Sequence, residues 1–171
     1  MADQETNAGG NGADNNAQPQ VSILAQYVKD LSVENPSAPQ VYSWQVQPQL
    51  DVQFNINIDA AGEHHEVTLK FDISARSDHG VHFVVDLSYG GLFSIRNVPQ
   101  EAMAPFLLIE APRLLFPFAR QVISDAVSNT GFPPLMLDPI DFASAYMAQV
   151  EAAQQQQAIG GGGDEQAPSE A

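Results

Sequence analysis

A chain of 171 residues with 44% hydrophobic content is long enough for one domain with a real core, and too apolar to be disordered throughout. Its 21 acidic against 6 basic side chains give a formal charge of -15, which argues against binding a phosphate backbone or an anionic membrane surface and favours a basic partner. With no cysteine, disulfides, thiol nucleophiles and cysteine-ligated metals are excluded.

Residues 1–19 are Asn, Gly, Ala, Gln and Asp with little to bury, and read as a disordered acidic tail. They have neither a basic start nor an apolar run, so no secretory signal is expected and the protein reads as cytoplasmic. "VSILAQYVKDLSV" is a plausible first strand of irregular period, followed by a Pro-rich loop, "ENPSAPQVYSW". Three stretches then alternate with period two. Leu50, Val52, Phe54, Ile56 and Ile58 form the apolar set of the first, and Val67, Leu69, Phe71, Ile73 and Ala75 that of the second. Val81, Phe83, Val85, Leu87 and Tyr89 form that of the third. Successive side chains of a strand point to opposite faces, so each strand has a dry face and a wet one. The Gly-bearing connections "DAAGE" and "RSDHG" predict an antiparallel meander.

The second half reads as helical. "AMAPFLLIEAP" is broken by Pro105, Glu110 and Pro112, and is expected to be too short to span a bilayer. Pro112 and Pro117 are expected to kink a helix that starts near Pro99. Leu115, Phe118, Ala119, Val122, Ile123 and Ala126 share one side of it, with Arg120, Gln121, Ser124, Asp125 and Ser128 on the other. Gly131 suits a left-handed cap and Pro133-Pro134 block continuation. A shorter helix begins at "DPID", with Asp138 as cap, Pro139 in the first turn and Asp141 at the positive end of the dipole. Residues 155–171 read as a second disordered tail, rich in Gly and Gln, which leaves a folded part of 20–154. Four strands followed by two helices define an α+β layer. One sheet covered by one kinked helix leaves apolar helix surface unused, and burial in an oligomer is the expected outcome.

Catalytic chemistry is hard to find. His64-His65 sits at a hairpin tip, and His79 and His82 span a turn and a strand, which does not bring three or four metal ligands together; all four read as solvated. Gly90-Gly91 lacks the Lys-Ser/Thr of a phosphate-binding loop and reads as a sharp exit from the last strand. Asp138 and Asp141 are better explained by a helix start than by acid–base work. No catalytic, metal or cofactor residue is assigned, and no enzyme is expected. Two features remain. Val84 lies on the wet face beside Asp86, with Asp30 and Glu34 near the end of the first strand; an apolar residue ringed by acids fits either a solvated face or a docking site for a basic partner. "QVYSW", the strand after it and the last helix are apolar enough to line a groove or simply to form core.

"YVKDLSVENPSAP", "GGLFSI", "LLFPFARQVISDAVSNTGFPPLML" and "PIDFASAYM" resemble, in order from about Val21 to Val150, the SecB family of protein-export chaperones. The resemblance implies a homotetramer, a dimer of dimers, with long helices sandwiched between sheets. It implies a holdase, without nucleotide or cofactor, that keeps precursor proteins unfolded and passes them to the SecA translocation ATPase. By the resemblance, SecA docks on Asp30, Glu34, Val84 and Asp86. The client groove uses Val41, Tyr42, Trp44, Leu50, Val52, Phe54, Phe142, Tyr146, Met147 and Val150. Val85, Leu87 and Tyr89 look like positions that affect assembly, and Leu115, Phe118, Val122 and Ile123 give the helix face expected at the oligomer interface. The competing reading is an acidic oligomeric module that binds a small apolar ligand between sheet and helix. Neither reading involves nucleic acid or insertion into a membrane.

Overall fold

The computed structural model describes residues 18–160. Four strands, β1 (Gln20–Glu34), β2 (Gln49–Ala61), β3 (His64–Ser77) and β4 (Gly80–Arg96), form one antiparallel sheet in the order β1-β4-β3-β2. β2, β3 and β4 are the expected meander. β1 lies on the far side of β4, so the chain between Glu34 and Gln49 crosses from one sheet edge to the other, through a short 3-10 turn at Gln40–Ser43. β1 looked irregular because it carries two bulges: Leu24 and Lys29 are extra residues opposite β4, and each resets the alternation.

The dry face of the sheet is made as the alternation requires. Val67, Leu69, Phe71, Ile73 and Ala75 of β3 and Phe83, Val85 and Leu87 of β4 are buried, each contributing about 1.5–3 kcal/mol for a fully buried large aliphatic or Phe. What buries them is a helical layer: α1 (Gln100–Pro105), a π-helical turn (Phe106–Glu110) and α2 (Ala111–Asn129) run without a break. The π turn has a cause in the sequence. Pro112 has no N–H to give the carbonyl four residues back, and the Ala111 N–H reaches five residues back to Phe106 instead. The prolines therefore reshape the helix rather than end it. Contrary to expectation, Gln100–Asn129 is a continuous stretch long and apolar enough, by those measures alone, to cross a membrane. Its inner side is occupied by the sheet: Leu115, Ala119, Ile123 and Val127 are fully buried in the core.

Gly90 and Gly91 do not end β4, which runs on to Arg96. They permit close approach from both sides. A Cβ on Gly90 would meet the Tyr27 ring at 2.6 Å, and one on Gly91 would meet Leu115 of α2 at 2.6 Å. α2 ends as expected, with Gly131 at φ +87. α3 (Phe142–Gly160) starts one turn later than expected. Its cap is Asp141, not Asp138: the Asp141 carboxylate accepts the Ser144 N–H at 3.0 Å and the Ser144 hydroxyl at 2.8 Å. Those bonds hold the Asp141 carboxyl below its usual value. α3 continues to Gly160, into the stretch read as tail; the remainder of both expected tails lies outside the described residues. Phe142 joins the layers, packed edge-on against Phe54 of β2 and Phe116 of α2 at centroid distances of 5.9 and 6.0 Å.

Candidate functional site

Strand register puts Asp30, Glu34, Val84 and Asp86 together on the face of the sheet away from the helices. Glu34 stands opposite Val84, Ser32 opposite Asp86, and Asp30 opposite Ser88. β3 adds Asp72, which stands directly opposite Asp86. Asp72 raises the Asp86 carboxyl above its usual value by hydrogen bonding; burial adds to this, as do the charges of Asp72, Glu34 and Asp30. Four carboxylates thus surround the half-buried Val84 and its neighbours. Lys29, next to Asp30 in sequence, does not neutralise them. Its bulge turns it to Glu66, 2.8 Å away, and the other oxygen of that carboxylate accepts the Tyr27 hydroxyl. That carboxylate pushes the Tyr27 hydroxyl up to about 12, while Lys29 and Tyr27 hold Glu66 down. Lys70, opposite Ser88, borders the acidic cluster.

The helix side of the sheet carries an apolar furrow along β2. At one end is an open cleft of about 430 Å³, walled by Val41, Tyr42, Trp44, Val46 and Leu50 on one side and Phe132 to Leu135 on the other. Farther along the same strand is a hollow of about 80 Å³ between Phe54, Leu108 and Tyr146. Val52 lies between them on the same strand face, and both Leu50 (49%) and Val52 (38%) remain exposed. Of the groove residues expected from sequence, Val41 is buried and lines the cleft, while Tyr42, Trp44 and Leu50 line its walls. Met147 is exposed on α3 and Val150 partly buried there, outside both hollows. Phe142 is buried at 2% and pins α3 to the core, so it offers a client no surface.

His82 departs from its expected place. It is the extra residue of a β3–β4 bulge, which tilts it out of the wet face. It is buried, 2.8 Å from the Ser77 hydroxyl through Nε2, and sits edge-on to Trp44 at 5.1 Å. His79 remains exposed and stacks on the same indole at 5.6 Å. No cluster of metal-ligating residues occurs among the described residues.

The expected interface positions divide. Val85, Leu87, Tyr89, Leu115 and Ile123 are buried by the chain's own sheet and helix, which leaves them no surface to offer a partner. The 3.6 period marked Leu115, Ala119, Ile123 and Ala126 on a helix face that this chain's own sheet fills, but Phe118, placed with them, is exposed, and Ser124, placed on the other side, is buried. Of the expected helix residues Phe118 stays uncovered (51% exposed), and with it residues not expected, Leu114 on α2 and Val21, Ile23, Val28 and Leu31 on β1. Val122 is only partly covered.

Fold and faces together have the character of a binding protein: one sheet carries an acidic face on one side and an open apolar furrow on the other. Comparisons with known proteins give its family. The family described as preprotein translocase subunit SecB matches residues 14–154. The protein-export protein SecB of Zymomonas mobilis is 59% identical over 140 residues, covering 81% of this chain and 85% of its own. That of Sphingopyxis alaskensis is 56% identical over 140 residues, covering 81% of each. A Mycobacterium tuberculosis SecB-like chaperone, solved in complex with an antitoxin peptide, superposes with a TM-score of 0.58 at 16% identity, over 70% of this chain and 90% of that one. The chain belongs to the SecB family, and its role is that of a chaperone in protein export.

Proposed function

We propose that this protein holds non-native precursor proteins in the furrow along β2, without nucleotide, and passes them to the SecA motor docked on the acidic face. The observation that carries the proposal is that apolar and acidic surfaces lie on opposite sides of one sheet, so both partners have room at once. Binding the unfolded state holds a client there by mass action, with no fuel required. The second reading, a small apolar ligand, calls for an enclosed pocket; the cleft is open and followed by a second hollow along the same strand, which favours an extended chain. Uncovered apolar residues on α2 and β1 support assembly into a homotetramer, in which linked furrows hold one client by effective concentration. The protein acts in the cytoplasm, without inserting into a membrane; no catalytic step or cofactor is part of the proposal.

The direct test is light scattering by an aggregating unfolded client. Scattering falls when the protein is added without ATP, and an unchanged trace at a few-fold excess overturns the proposal. The docking half is tested by Asp30→Lys combined with Asp86→Lys. SecA binding weakens while the assembly stays intact; binding at the original affinity removes the assignment.

A further inference from the structure

We infer that Asn35 and Tyr42 form a latch that sets the width of the apolar cleft, which makes them positioning residues for client retention. The inference rests on the client reading of the cleft. The two walls come from distant parts of the chain: the turn and loop after β1, and the segment after α2. Leu50 of the first wall lies on β2, but Tyr42 and the segment Phe132 to Leu135 belong to no strand, so no strand ladder fixes their separation. Two hydrogen bonds to Thr130 join them, and a third braces Tyr42. The Tyr42 hydroxyl donates to the Thr130 carbonyl at 2.6 Å, Asn35 Nδ2 donates to the Tyr42 hydroxyl at 2.8 Å, and the same amide lies 3.3 Å from the Thr130 carbonyl. Thr130 follows the last residue of α2, where helix carbonyls lack intrahelical donors, so the latch also satisfies a helix end.

The chain is shaped to receive the tyrosine. Gly131 turns at φ +87 beneath its ring, and a Cβ there would stand 3.1 Å from both Cε1 and the hydroxyl oxygen. The ring then rests against Phe132, the first residue of the opposite wall, at a centroid distance of 5.7 Å. A tyrosine placed only to offer apolar surface to a client would have its hydroxyl in water. Here the hydroxyl both donates and accepts, joining one wall to the other.

The single tryptophan, Trp44, lines this cleft and serves as reporter. The experiment uses the full chain and Tyr42→Phe and Asn35→Ala variants, with reduced and alkylated lactalbumin, carrying an acceptor dye, as a permanently unfolded client. Tyr42→Phe keeps the ring and loses the bridge. Both variants are expected to release the client roughly fivefold faster, the factor for one net hydrogen bond, with association nearly unchanged. Trp44 emission in the free variants is expected to shift to the red as the walls part. Release at the wild-type rate with unshifted emission overturns the latch, and so does a lowered urea midpoint with unchanged release, which is the mark of a helix cap alone. If wild-type Trp44 emission does not respond to bound client, the client reading of the cleft fails first, and the latch's role in retention fails with it.

Discussion

Asp72 and Asp86 face one another across β3 and β4, and that pairing ties the stability of the fold to pH. The Asp86 carboxyl is raised from its ordinary value of 3.8, first by Asp72, then by burial and the charges of Asp72, Glu34 and Asp30. An acid with a raised folded pKa binds its proton more tightly when folded. Stability therefore falls as pH rises from the ordinary value through the raised one, and the full penalty stands at neutral pH. Asp72→Asn removes the main cause. The expected gain at pH 7 is about 0.2–1 kcal/mol, the range of cross-strand pairs, and it disappears near pH 4. Urea midpoints at the two pH values check this, and an equal gain at both contradicts the pairing. The same four carboxylates are what a basic partner would neutralise, so under the proposed docking role this face would trade stability for charge.

At the scale of elements, Gly91 sets how closely α2 lies on β4. A Cβ there meets Leu115 at 2.6 Å, and Leu115 is fully buried and cannot swing away. Gly91→Ala is expected to cost about 1–3 kcal/mol, the range for overpacking, read as a lower urea midpoint at unchanged slope. Most of this architecture is legible in the sequence. Alternation gave the dry face of β3 and of β4 from Phe83 on, and the apolar stripe from Leu115 to Ala126 gave, apart from the exposed Phe118, the helix that covers it. Val81, read with that dry set, stands instead opposite Arg76, ahead of the bulge. Even the β4 bulge left a trace. A plain hairpin with Ser77 opposite Gly80 would set apolar Phe71 against Asp86, and only an extra residue restores matching faces. That residue is His82, and for this reason a histidine in a polar-looking position is buried. Without the bulge in hand, Asp72 could not be placed opposite Asp86. The second cleft wall, Phe132 to Leu135, was also missed: Pro133-Pro134 read as a helix stop, and periodicity says nothing about where a loop folds back. Asp138 read as the cap and Asp141 only as a charge near the helix start; the Ser144 hydrogen bonds make Asp141 the cap, a choice that sequence alone did not offer.

For the molecule as a whole, the apolar side chains divide among three uses. The largest share fills the core between sheet and α2. A second lines the furrow along β2. A third, Leu114 and Phe118 on α2 with Val21, Ile23, Val28 and Leu31 on β1, is left bare by the single chain and is the surface through which the proposed tetramer would assemble. With a formal charge of -15 on each chain, the proposed tetramer would be a strongly negative particle, and its attraction for basic stretches of client would weaken with salt. The measurement that bears most directly on this division is a native mass spectrum, taken without nucleotide, of the protein alone and mixed with an unfolded precursor. The account predicts a tetramer that gains the mass of a bound precursor. A monomer, or an assembly whose mass is unchanged by the precursor, would contradict it.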